Sequence, residues 1–65
     1  MELSDFKPGD KVRYVPNHAH GDLSHQDVER GEVSSVSSRY VFVRYYRPHG
    51  MTGPQATDAS DLVKG

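Results

Sequence analysis

The chain contains no cysteine and no tryptophan. Without thiols it has neither a disulfide framework nor a thiolate metal site, which excludes zinc ribbons and CxxC redox chemistry. Apolar residues fill only 34% of its 65 positions. No run approaches the roughly 18 apolar residues of a membrane-spanning helix. The opening residues, Met1 to Asp10, lack the basic and apolar regions of a secretory signal. These absences lead us to expect a cytoplasmic protein with no membrane association. Charge of one sign is not in excess either. Eight Lys and Arg against nine Asp and Glu leave a net charge of -1, which argues against a dedicated nucleic-acid binder.

Apolar scarcity makes the few hydrophobic stretches informative. A chain of this size buries only about 60% of its unfolded surface, so the residues that can build a core stand out. Gly31 to Tyr46 is the richest stretch, holding Val33, Val36, Val41, Val43 and Phe42. It reads as two strands, Gly31–Val36 and Tyr40–Tyr46, around a polar turn at Ser37, Ser38 and Arg39. Val33 and Val36 are three apart, which breaks the period of two. A β-bulge at Ser34 and Ser35 would turn both inward. In the second strand Val41, Val43 and Tyr45 share the core face, and Phe42, Arg44 and Tyr46 share the other. Phe42 is expected to cover a second, smaller cluster.

The rest of the chain is arranged around this pair. Residues 1–5 are read as a flexible N-terminus, and residues 6–65 as one domain. Phe6 plugs one end of the core, and Lys7-Pro8-Gly9-Asp10 forms a turn. Lys11 to Val15 alternates as a first strand, stopped by Pro16. Asn17 to Arg30 is a loop of unusual length, with a helical turn expected near Ser24 to Asp27. Arg47 to Pro54 reads as a second loop, Gln55–Thr57 as a short strand, Asp58 as the cap of a 3₁₀ turn, and Leu62–Lys64 as the last strand.

These observations predict an all-β fold. The order of a Gly9-Asp10 turn into Lys11-Val12-Arg13-Tyr14-Val15-Pro16, the Gly31-x-Val33 strand, the apolar Val41 strand and the Asp58-x-x-Asp61-Leu62-Val63 close resembles the SH3-like barrel group, which includes KOW-type and Tudor-like domains. More narrowly, His18-Ala19-His20-Gly21-Asp22, His25, Glu29-x-Gly31, Val33-Ser34-Ser35-Val36, Val41-Phe42-Val43-Arg44-Tyr45 and Gln55-Ala56-Thr57 resemble small proteins of tailed bacteriophages and prophages. The resemblance implies a small five-stranded SH3-like barrel, with a long loop between strands 1 and 2 and a short 3₁₀ turn before the last strand. It transfers no activity, since the wider group binds nucleic acids, proteins or modified peptides.

Two groups of residues carry possible chemistry. Tyr40, Phe42, Arg44, Tyr46 and Arg47, with Arg13 on the neighbouring strand, form an aromatic and basic face suited to stacking and to phosphate. The plainer reading is packing, with arginine stems covering the aromatics. His18, His20 and His25, with Asp22, offer metal-ligand atoms within eight residues, but without the spacing of a structural zinc motif. They are read first as loop histidines bonded to their surroundings. Asp22, Asp27, Glu29, Glu32, Asp58 and Asp61 suggest an acidic rim. No serine has an evident activating base, so an enzyme is not expected, and neither is a cofactor. The resulting expectation is a non-enzymatic binding or accessory module of phage or prophage type. It presents the 17–30 loop (His18, His20, His25) and the Tyr/Arg face to a macromolecule, a protein before nucleic acid. A KOW- or Tudor-like nucleic-acid module and a metal-binding histidine loop are the alternatives.

Overall fold

The computed structural model describes residues 1–65, and it is all-β with three single-turn 3₁₀ segments and no α-helix. Six strands follow one another: β1 (Lys11–Tyr14), β2 (Glu29–Val36), β3 (Val41–Arg47), β4 (Gly50–Met51), β5 (Gln55–Thr57) and β6 (Leu62–Lys64). All pairings are antiparallel, in the order β4-β3-β2-β1-β6, and β5 also pairs with β3. Strands β4 and β5 therefore divide the free side of β3 between them. No ladder joins β5 to β6, so the sheet is not closed. It is six-stranded and not closed, whereas the sequence led us to expect a small barrel of five strands.

The core sits on one face of this bent sheet. Val12, Val33, Val41, Val43, Tyr45 and Leu62 supply it from the strands, with Phe6 and Ala59 entering from the flanking segments. Leu3, Tyr14 and Val36 pack against it half-buried. The register between β2 and β3 slips between Val33 and Ser35, the bulge that the valine spacing required. As a result Val33 faces Val43 and Val36 faces Val41 across the same ladder. Phe42 lies on the opposite face, half-buried between Ser35 and Ala56, and outside the single core cluster.

Gly31, buried in β2, has no room for a side chain. A Cβ there would lie 2.7 Å from the Arg44 carbonyl oxygen, 2.7 Å from a Val43 methyl and 3.1 Å from the Tyr45 ring. The missing side chain lets the Tyr45 ring lie over β2, where its hydroxyl pairs with Thr57 Oγ1 at 2.7 Å. A second device holds β3 where β4 gives way to β5. Thr52 N–H donates to the Tyr45 carbonyl, and Tyr45 N–H donates to Thr52 Oγ1 at 3.0 Å. A side chain thus replaces one rung of the ladder and leaves no orphan donor.

Several boundaries differ from the sequence reading for local reasons. Val15 leaves β1 because its N–H donates to the Asp61 carbonyl, tying β1 to the 3₁₀ turn Ala59–Asp61. β2 begins two residues early, since Glu29 and Arg30 pair with Tyr14 and Arg13. The segment Arg47 to Pro54 is partly ordered as a hairpin. Pro48 and His49 turn the chain, and Gly50, at φ +129, pairs with Arg47. Leu3–Asp5 forms a 3₁₀ turn within the N-terminal segment. In the long loop the 3₁₀ turn falls at Asn17–Ala19 rather than near Ser24 to Asp27.

Replacing Gly31 by Ala is expected to destabilise the fold by about 1–3 kcal/mol, as overpacking against backbone does. Gly53→Ala, where a Cβ meets nothing within 4 Å, is expected to stay within about 0.5 kcal/mol of the parent. Urea unfolding of both variants measures the difference.

Candidate functional site

Alternation along β1, β2 and β3 fixes which side chains face away from the core. Val12 points inward, so Lys11 and Arg13 point outward; Gly31 and Val33 point inward, so Arg30 and Glu32 point outward. On β3, Arg44 and Tyr46 join them. The register makes Arg13 the direct partner of Arg30, Lys11 the partner of Glu32, and Glu32 the partner of Arg44. This outer face gathers four cations against one carboxylate.

That carboxylate is already engaged, because Lys11 Nζ donates to Glu32 Oε2 at 2.9 Å. Lys11 also donates to the Tyr46 hydroxyl at 3.1 Å and lies 5.8 Å from the centre of its ring. The two acceptors, first Tyr46 and then Glu32, raise the Lys11 pKa and keep the ammonium charged. Arg13, Arg30 and Arg44 form no salt bridge, and Arg44 Nε donates instead to the Thr52 carbonyl at 3.3 Å. Arg13 Nε is buried without any hydrogen-bond partner, under the backbone of Gly65. Like charges set directly opposite on a ladder repel, so the Arg13–Arg30 pair stores an unmet demand for an anion. Tyr46 stands 43% exposed beside Arg30 and Lys11.

The other residues proposed for this face lie elsewhere. Tyr40 precedes β3 at the far end, exposed, with its N–H donating to Ser37 Oγ. Six residues of extended chain, about 20 Å, separate it from Tyr46. Arg47 turns away: it pairs with Glu29 at 2.7 Å and lies 5.9 Å from the centre of the Tyr45 ring. With Tyr14, Tyr45, Glu29, Asp58 and Asp61 it lines a cleft at the open end of the sheet, so part of the expected acidic rim exists there. Glu32 belongs instead to the basic face. Arg30 and Lys11 were missed from sequence. Arg30 resembles the end of a loop, and only the alternation Arg30–Glu32, extended back from Val33, could have revealed it.

The loop of residues 17–30 is a chain of turns. Asp22 N–H donates to the Ala19 carbonyl, His25 N–H to that of Asp22, and Val28 N–H to that of His25. Asp22 Oδ1 accepts from both the N–H and the hydroxyl of Ser24. These turns bring His18 against residues nine places away. His18 Nε2 lies 2.6 Å from Asp27 Oδ2, and the His18 and His25 rings meet edge to face at 5.3 Å. Asp27 N–H donates to His25 Nδ1 at 3.0 Å. Of the group marked in the sequence, His18 and His25 come together, and His20 and Asp22 do not join them. His20 caps the 3₁₀ turn in a left-handed conformation, φ +51, and stands exposed. Asp22 serves its own turn, and Asp27 takes the place beside the rings.

Hydrogen bonding also sets the pH response. Asp10, held by the Lys7 N–H, Asp22, held by the Ser24 hydroxyl, and Asp58, held by the Ser60 N–H, all ionise below the usual carboxylate range. A carboxylate with a depressed folded pKa stabilises the fold above its unfolded value of about 3.9, and loses that contribution as pH falls through the folded value. Burial, partly offset by the Thr57 hydrogen bond, raises the Tyr45 phenol. Above about pH 10 the unfolded chain ionises first, so stability falls there too. The urea midpoint is expected to drop at both ends of the pH range. Asp58→Asn is expected to flatten the acid limb, and Tyr45→Phe the alkaline one.

In comparison with known proteins, the chain matches no family model, no curated sequence and no solved structure.

Proposed function

We propose that this chain is a non-enzymatic binding module whose outer face takes a polyanion, single-stranded nucleic acid in the first place. The observation that carries this is the Arg13–Arg30 cross-strand pair, unpaired by any carboxylate and flanked by the exposed Tyr46. Phosphates spaced along a strand would neutralise the two guanidinium groups, and a base would stack on the tyrosine ring. Net charge had favoured a protein partner. Segregation of charge, with cations on the outer face and Glu29, Asp58 and Asp61 in the cleft, removes that objection. The Ser37 hydroxyl is spent in the β2–β3 turn, bonded to Tyr40 and Arg39.

In this reading the strand order β6-β1-β2-β3-β5 is that of a small SH3-like barrel, opened between β5 and β6 and extended by the short β4. The module is of phage or prophage type and acts in the host cytoplasm. A protein partner is the second reading. It is favoured by Leu23, 48% exposed over a shallow groove of Val15, Pro16 and Val63.

Fluorescence anisotropy with labelled DNA and RNA strands of about 12 nucleotides, and with a duplex, tests the proposal. Binding is expected to weaken steeply between about 50 and 200 mM salt. Arg13→Ala and Arg30→Ala are each expected to reduce the salt slope by about 1. Tyr46→Ala is expected to weaken single-strand binding by about 1–3 kcal/mol and leave duplex binding unchanged. No binding tighter than about 1 mM at low salt, weaker than even non-specific contacts, overturns the nucleic-acid reading. So does binding that none of the three substitutions alters.

A further inference from the structure

We infer that His18, His25 and Asp27 form a binding site for a divalent transition cation of the zinc type. Each offers one ligand atom, and the three atoms lie within 4.8 Å of one another. Two imidazoles and one carboxylate are the donor set that zinc takes with a fourth position left to water. Two nitrogen donors out of three select against magnesium and calcium, which require oxygen ligands. The inference is independent of the outer basic face, since no residue is common to the two.

The geometry needs little adjustment. Tetrahedral ligation at about 2.0–2.1 Å places donor atoms a little over 3 Å apart. His18 Nε2 and Asp27 Oδ2, now 2.6 Å apart, would open by less than an ångström to admit the ion between them, with the proton leaving the His18 Nε2. If His25 binds through Nδ1, it gives up the hydrogen bond that this atom accepts from Asp27 N–H; if through Nε2, that bond stays and holds the ring. In the first case water replaces the lost acceptor, since that N–H lies in an exposed loop. The side chains of His18 and Asp27 are both more than half exposed, so the ion has an open path.

The backbone around the cluster is set before any ion arrives. The turn at Asn17–Ala19 carries His18, and the successive turns from Asp22 and from His25 return the chain to it. Asp22, bonded twice to Ser24, is a positioning residue for the second turn and not a ligand. His20 and His49 lie outside the cluster, and they make internal controls.

Zinc chloride titrated into the full chain, followed by calorimetry and by histidine ring NMR signals, tests the site. Saturable one-to-one binding is expected, with the ring signals of His18 and His25 moving and those of His20 and His49 unmoved. Magnesium chloride is expected to produce no shift. His18→Ala, His25→Ala and Asp27→Asn are each expected to weaken binding by more than about tenfold, with the urea midpoint of the zinc-free chain unchanged. His20→Ala is expected to bind as the parent does. The inference is overturned by an absence of saturation in the parent, by parental affinity in His18→Ala, or by an equal loss in His20→Ala. Ring shifts in the unsubstituted chain decide the matter even where a variant fails to fold.

Discussion

The ladder between β2 and β3 is the contact on which the other elements rest. Val33 meets Val43 and Val36 meets Val41 there, and the bulge at Ser34 turns both β2 valines to one side. With so little apolar material, one sheet face is all the chain can bury, and a single residue out of phase would send a valine to water. The remaining strands assemble on this pair. β1 adds Val12 along β2, β6 adds Leu62 along β1, and β5 closes over Val41 and Val43. Gly31 then admits the Tyr45 ring, the largest side chain of the core.

The same alternation that fills the core distributes charge. Each inward valine or glycine forces its neighbours outward, and on β1 and β2 those neighbours are Lys11, Arg13, Arg30 and Glu32. A chain with almost no net charge therefore carries a strongly cationic surface, while several carboxylates go to turns and to the cleft. Asp10, Asp22 and Asp58 are occupied by backbone N–H groups and hydroxyls. None of the three pairs with an arginine, and Asp10 pairs instead with Lys64 at 3.4 Å. Turn chemistry in this way helps leave one face with Glu32 as its single counter-charge.

Local signals in the sequence were reliable where one residue decides the outcome. β-Branched runs marked β2 and β3, the three-residue interval from Val33 to Val36 marked the bulge, and Asp58 marked the cap before β6. What escaped depends on partners distant in the chain. Gly50 and Met51 have no strand propensity of their own and become β4 only because β3 offers them Arg47 and Tyr46. Glu29 and Arg30 look like the end of a loop until Tyr14 and Arg13 lie beside them. The histidine grouping followed neighbours in sequence, whereas the succession of turns sets Asp27 against His18 and leaves His20 apart. The strand count fell one short because β4 forms only where β3 offers it partners.

An open sheet has edges, and an edge with unsatisfied N–H and C=O groups invites other chains to polymerise on it. Here the free borders belong to β4, β5 and β6, of two, three and three residues. None is long enough to seat an incoming strand over more than a rung or two. Thr52 interrupts one border between β4 and β5, and the turn at Ala59–Asp61 interrupts the other. The molecule thus leaves its sheet unclosed while offering an incoming strand very little edge to pair with.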